Sequence, residues 1–388
     1  MRVLVDFTQI PLSRTGVGVY AEHLVENLIP LLHASDVLIV LIQSDEAAVL
    51  DMARGKANVQ LLSIPASIFR NRFFLMVFEQ LVLPIVAWRK RVNLIHSLHY
   101  THPLLAFTSR VVTIHDLTFL LFPEMHTRGR RSIIPFFIRR AMKHAEAIIF
   151  VSKATQNDAE RMLPGGRNLR CAVPLGVSLP LPIYTEETRS EEVLADMGVG
   201  SPYLLFIGTL EPRKNIVRIV QAFERIAIHY PNLILVLAGK LGWHTGEIVA
   251  AMENSPVRER IKHLGFVSEE EKASLLRNCE MLVYPSMYEG FGLPVLEAMA
   301  AGAPVITSNL SSMPEVAGDA AVLVDPSSVD KIADAMQQIL DDKAFASSLR
   351  KTGCAQAQSF TWSRMAEQTD DVYRSVIKCK SQSKMQEN

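Results

Sequence analysis

Tyr203-Leu204-Leu205-Phe206-Ile207-Gly208-Thr209-Leu210-Glu211-Pro212-Arg213-Lys214-Asn215 is the stretch on which the fold turns. Its first five residues are apolar without a break, as a short parallel strand buried on both faces must be. A glycine then turns the chain, and two cations arrive where a helix should begin. A strand that turns on glycine into a helix is the repeating unit of a wound βα sheet, with its loops at the carboxyl edge. Arg213 brings a planar fork of donors and Lys214 a point charge, so together they can hold a diphosphate there.

The same unit recurs on both sides of that stretch. Downstream, Leu233–Ala238, Met281–Tyr284, Pro304–Thr307 and Ala321–Val324 read as strands; upstream, Val3–Phe7, Val37–Ile42, Leu94–Ser97, Val111–Ile114 and Ala147–Val151 do. Between the two sets lie Pro174, Gly176, Pro180 and Pro182, with Pro164 upstream, where the chain must change direction. The pattern predicts an α/β protein of two Rossmann-like, doubly wound parallel-sheet domains, over 1–180 and 181–360, facing across a cleft. Residues 361–388 are expected to form a long helix from about Trp362 to Lys378 and a polar tail.

Composition agrees with two folded domains. The 388 residues are 49% hydrophobic and 21% charged, enough apolar mass for substantial cores. Four scattered cysteines, Cys171, Cys279, Cys354 and Cys379, suit neither a disulfide framework nor a metal knuckle, so a reduced, cytoplasmic setting is expected. The opening Met1–Phe7 reads as a strand and not as a secretion signal. Phe73–Trp88 is interrupted by Glu79 and Gln80 and is shorter than the roughly 20 residues of a spanning helix. It is expected to be a buried or surface-lying helix. Residues 1–180 carry seven more Lys and Arg than Asp and Glu, and the remainder the reverse, which favours an anionic partner. No basic stripe is interleaved with aromatics, so nucleic acid is not expected.

Two further motifs carry chemistry. Arg14-Thr15-Gly16-Val17-Gly18-Val19-Tyr20-Ala21 places two glycines ahead of a helix, where a backbone can approach a phosphate closely. It fits the dinucleotide fingerprint G-x-G-x-x-A, but eight residues separate Phe7 from Gly16, and that fingerprint turns straight off its strand. The second motif is Tyr284-Pro285-Ser286-Met287-Tyr288-Glu289-Gly290-Phe291-Gly292-Leu293-Pro294-Val295-Leu296-Glu297-Ala298-Met299. Glu289 sits in a glycine-rich loop, and Glu297 about one turn inside the helix that Pro294 opens. Carboxylates so placed need hydrogen-bonding partners, and sugar hydroxyls are natural ones. Backbone N–H groups over Phe291, Gly292 and Leu293 could add contacts to a sugar or phosphate.

With the Gly208–Asn215 turn, the Glu289 and Glu297 pair, and Ser312-Met313-Pro314-Glu315-Val316, nearly the whole chain resembles the GT-B retaining glycosyltransferases of family 4 (group 1). That resemblance implies transfer of a sugar from a nucleotide-sugar donor. It implies that Arg213 and Lys214 hold the diphosphate at the Gly208 turn, that Glu297 binds the ribose hydroxyls, and that Glu289 contacts the donor sugar near its reacting carbon. Gly16 and Gly18 would line the donor phosphates and acceptor, and His115 would face the donor sugar. The final helix would cross back onto the first domain.

A histidine at a strand end can equally bond a neighbouring carbonyl, and Asp116 can cap a helix. His96, His99 and His102, spaced by three, lack the carboxylates or thiols of a metal set and are read as a loop lining the cleft. No Asp-x-Asp occurs, so neither a metal nor another cofactor is expected, with Arg213 and Lys214 in the metal's place.

The opening segment and Ile114-His115-Asp116-Leu117-Thr118-Phe119 look most like bacterial mannosyltransferases of surface polysaccharide and lipopolysaccharide synthesis, which points to GDP-mannose. UDP-hexoses, UDP-N-acetylhexosamines and dTDP-rhamnose stay open, as does a non-catalytic assembly subunit. The acceptor is expected to be a saccharide or a lipid-linked saccharide at the inner face of the membrane. Arg128, Arg130, Arg131, Arg139 and Arg140 surround Ile133–Ile138, a stretch suited either to an anionic bilayer surface or to a core helix.

Overall fold

The computed structural model describes residues 1–12, 16–126, 128–166, 168–178 and 187–386. Pro180, Pro182, Arg14 and Thr15 of the motifs above therefore lie outside the described residues. The chain divides into two compact units, Met1–Gly176 with Trp362–Asn388, and Val177–Thr361.

The first unit is built on seven strands: β1 Arg2–Asp6, β2 Val37–Gln43, β3 Val59–Ile64, β4 Leu94–Ser97, β5 Ser109–Ile114, β6 Ala147–Phe150 and β7 Leu169–Ala172. They run parallel in the order β3-β2-β1-β4-β5-β6-β7. The second holds β8 Tyr203–Ile207, β9 Ile234–Ala238, β10 Ile261–Gly265, β11 Met281–Tyr284, β12 Val305–Ser308 and β13 Val322–Val324. These are parallel in the order β10-β9-β8-β11-β12-β13. The α/β, doubly wound reading is what the structure shows. Winding reverses beside β1 and β4 in one sheet and beside β8 and β11 in the other. The loops leaving the carboxyl ends diverge at such a point, and that crevice is where this architecture binds ligands.

The helix Trp362–Gln386 belongs to the first unit and runs along the helix Gly16–Leu28. Gly16 and Gly18 are thus helical, in the first turn, and not a loop ahead of the helix as expected. Gly18 is buried there.

His96 also departs from expectation. It is a fully buried residue of β4, not part of a loop lining a cleft. Its Nδ1 lies 2.6 Å from Tyr373 Oη and its Nε2 2.8 Å from Thr113 Oγ1, which in turn meets Tyr20 Oη at 2.9 Å. The histidine is a polar pin joining two helices to the sheet.

Burial, and next His115, lower the His96 pKa to about 3, so the folded state holds it neutral while the unfolded chain protonates it near its ordinary value. The stability this provides is present above about pH 6.5 and is lost as pH falls toward 3. One such group contributes a slope of about 1.4 kcal/mol per pH unit in that window. Urea unfolding of His96→Gln should show a shallower loss of stability between pH 6 and pH 4, about that much per unit less steep than the parent. Identical slopes would remove His96 as the cause.

In the helix Arg128–His144, Ile134 and Ile138 pack in a core cluster with Val112, Leu117 and Met142, and Phe137 is buried with its ring edge-on to His102. The apolar run at 133–138 is therefore mostly used by the core.

Candidate active site

The turn after β8 is set by backbone geometry. Gly208 takes φ 140° and Gly239, at the end of β9, φ 146°. A Cβ on Gly239 would lie 1.9 Å from the Gly208 carbonyl oxygen, so the two loops meet backbone to backbone. The chain then makes a tight turn over Pro212–Lys214 and ends it at Asn215, left-handed at φ 65°, before the helix Ile216–Ala227. Asparagine is among the residues that tolerate that conformation. Its Nδ2 donates to Pro285 O (3.0 Å) and Pro326 O (2.6 Å). Met287 N donates to Arg213 O at 2.9 Å. The turn after β8 and the loop after β11 are stitched together across the winding reversal.

Four charges meet between those loops. Lys214 Nζ lies 2.6 Å from Glu289 Oε1 and also donates to Tyr284 Oη. Arg213 Nη1 lies 2.8 Å from Glu289 Oε2 and donates to Tyr288 O at 2.7 Å, while Nη2 pairs with Glu211. Two cations and two carboxylates make a neutral set, the condition under which charges can be buried. Lys214 is 8% exposed and Glu289 7%. Burial pushes the Glu289 pKa up, but Arg213 and then Lys214 outweigh it and hold the carboxyl at about 2. Burial and Arg213 draw Lys214 downward, and Glu289 and Glu211 oppose them. The carboxylates are what oppose the loss of that ammonium's proton.

The Glu289 loop is fixed from behind. Ser312 Oγ donates to Phe291 O at 2.6 Å and lies 3.0 Å from Glu289 O. Gly292 takes φ 114° at the start of the helix Leu293–Ala300, and a Cβ there would meet Met313 Cε at 2.3 Å. Phe291 is buried and Leu293 half-buried at that helix start.

Glu297 stands apart from this cluster. It is the fifth residue of the helix, with Oε1 at 2.9 Å from Lys272 Nζ, which also holds Glu269 at 2.8 Å. Burial raises its pKa and Lys272 opposes the rise. Glu289 and Glu297, a pair in sequence, are held by different cations, Arg213 and Lys214 for the first and Lys272 for the second.

In the first unit, His115 follows β5 and is buried. Its Nε2 lies 2.8 Å from Leu98 O. A carbonyl only accepts, so Nε2 carries the proton and Nδ1 is the acceptor of the neutral ring. Burial lowers its pKa, which keeps it neutral. Asp116 Oδ1 accepts from Thr118 N (3.0 Å) and Thr118 Oγ1 (2.7 Å), a local turn.

The structure thus unites Arg213, Lys214 and Glu289, within the second unit, and adds Glu211, Tyr284 and Asn215. The sequence reading gave none of those three a role, although Glu211 and Asn215 stand in the decisive stretch. Lys272 was missed outright, since nothing local marks it. Among the described residues, no cluster of three or more His, Cys, Asp or Glu is arranged to hold a metal ion.

Comparison with known proteins fits this geometry. Residues 195–356 match the family Glycosyl transferases group 1, and residues 15–176 match the Glycosyl transferase 4-like domain. The O-antigen chain mannosyltransferase B of Escherichia coli is 34% identical over 272 residues, 67% of this chain and 68% of that one. The serotype-specific mannosyltransferase WbdA of E. coli is 29% identical over 232 residues, which cover 58% of this chain but only 28% of WbdA. Among solved structures, Anabaena HepE in complex with UDP and glucose aligns with a TM-score of 0.74 at 18% identity, covering 97% of this chain and all of HepE.

Proposed function

Because the chain belongs to the group 1 glycosyltransferases of the GT-B fold, we propose that it moves mannose from GDP-mannose, with retention and without a metal. The acceptor we propose is a saccharide or lipid-linked saccharide of surface polysaccharide assembly. Mannose and polysaccharide rest on the relatives whose names carry them. The observation that carries the reading is the pair of half-buried Arg213 and buried Lys214 at the carboxyl edge beside β8 and β11, both held by Glu289.

In the reaction the bond from the sugar's anomeric carbon to the β-phosphate oxygen breaks, and its electron pair leaves on the diphosphate. The acceptor hydroxyl bonds to that carbon, and its proton passes to the departing phosphate. Charge grows on the diphosphate, and cations already fixed by Glu211 and Glu289 can stabilise it without reorganising. Glu289, held ionised by two cations, is a poor nucleophile. That favours front-face substitution over a glycosyl-enzyme intermediate. Glu289 instead positions Lys214 and can accept from a sugar hydroxyl. We assign the ribose hydroxyls to Glu297, the phosphates to Gly208 and the backbone over Phe291–Leu293, and the sugar and acceptor to Gly16, Gly18 and His115.

Turnover of GDP-mannose, UDP-glucose, UDP-N-acetylglucosamine and dTDP-rhamnose, each with and without EDTA, tests the reading. GDP-mannose should be consumed at the same rate in EDTA, giving an α-linked product from the α-linked donor. Turnover confined to another donor would end the mannose assignment, and loss of all activity in EDTA the metal-free one.

A further inference from the structure

We propose that the first unit docks on an anionic lipid bilayer through the outer face of residues 72–89. The segment is one helix in three pieces, Arg72–Val77, a π-helical turn Phe78–Val82, and Leu83–Arg89. Leu75, Phe78, Leu83 and Ala87 face inward and pack with Leu4 and Ile95. Phe73, Val77, Leu81, Ile85 and Trp88 step by four, four, four and three along the opposite side, and all are exposed. Phe73 is 70% exposed, Leu81 64% and Trp88 63%. A surface helix ordinarily turns a polar stripe to water where this one turns a second apolar stripe.

The apolar surface continues onto the loop after β4. Gln80 Oε1 accepts from Leu104 N at 3.0 Å and Gln80 Nε2 donates to His102 O at 2.9 Å, which fastens that loop to the helix. Ala106 packs on the same core, and beside it Leu105 is 81% and Phe107 75% exposed.

Charge identifies the occupant. Arg72 is exposed at one end and Arg89, Lys90 and Arg91 at the other. The single carboxylate between them, Glu79, is 1% exposed and turned inward, accepting from Gln9 Nε2 (2.7 Å) and Thr101 Oγ1 (2.8 Å). The outer face therefore presents aromatic and aliphatic groups bracketed by cations, with no acid. Acyl chains take up the first, anionic headgroups the second, and tryptophan favours the boundary between them. A second copy of the chain suits the face badly. A twofold contact sets the patch against itself, and with both ends basic, cations meet cations in either orientation. No helix among the described residues is long and apolar enough to cross a membrane, so the contact is one of lying on the surface. The inference is independent of which donor is used.

Co-sedimentation of the full chain with phosphatidylcholine vesicles, with and without phosphatidylglycerol, tests this. The chain should pellet with the anionic vesicles, and less so in high salt. The double variant Leu81→Glu, Ile85→Glu should bind at least about tenfold more weakly. Its melting temperature and donor turnover should match the parent, because both side chains point to water. Arg131→Glu with Arg139→Glu, on the other basic helix, should bind like the parent. A parent that stays in the supernatant with anionic vesicles would overturn the proposal, as would a Leu81, Ile85 variant that binds undiminished. A dimer in light scattering that the variant dissolves, without vesicle binding, would assign the face to self-association instead.

Discussion

Lys214→Met is expected to lower kcat by about a hundred- to a thousandfold, the scale on which one preorganised donor to a developing anion counts. Methionine keeps the length and apolar stem of the side chain and removes only the ammonium. Asn215 still ties the turn to the loops after β11 and β13, so the fold should persist. Glu289 keeps Arg213 at 2.8 Å and does not become an unpaired buried charge. Steady-state kinetics beside a thermal melt separates loss of chemistry from loss of fold. Turnover within about threefold of the parent would remove Lys214 from the diphosphate.

Glu289→Gln is expected to do comparable damage by another route. The amide keeps the shape of the side chain, takes the carboxylate away from the buried Lys214, and leaves the half-buried Arg213 with Glu211 alone. Breaking a buried pair in this way costs about 3 kcal/mol of stability. The pH dependence carries the sharper signature. In the parent, Glu289 is among the groups that hold the Lys214 pKa up against burial and Arg213. Without it, Lys214 loses its proton at lower pH, so the alkaline limb of the pH–rate profile should move toward neutrality. Glu289→Asp should restore part of both activity and profile. An unchanged alkaline limb in Glu289→Gln would mean that Lys214 does not depend on this carboxylate.

The strands legible in the sequence were mostly those buried on both faces. Runs such as Val37–Gln43 and Met281–Tyr284 are apolar because helices cover both sides of a parallel sheet, and they could be read directly. Val59–Ile64, Leu169–Ala172 and Ile261–Gly265 escaped notice because they are edge strands. Half-exposed, they mix Gln, Ser, Arg, Lys and His with apolar residues and lose the signal. The diphosphate turn was legible because strand, glycine and cations are contiguous. The rest of the cluster was not, because its neutrality is a property of two loops. Glu211 looks like ordinary turn polarity until the loop after β11 brings Glu289 against the same arginine. Lys272 lies on the helix Glu269–Asn278 and meets Glu297 only through packing. His96 misled because three histidines at equal spacing suggest a shared role, whereas the end of β4 puts the first of them in the core.

Arg213 and Lys214, on the function proposed here, grip the nucleotide diphosphate. Titration calorimetry of GDP against the parent and against Arg213→Met with Lys214→Met, at one ionic strength, measures that grip without catalysis or acceptor. The double variant, still folded, should bind GDP at least about a hundredfold more weakly, as loss of two charge-assisted contacts requires. Equal affinities would contradict it.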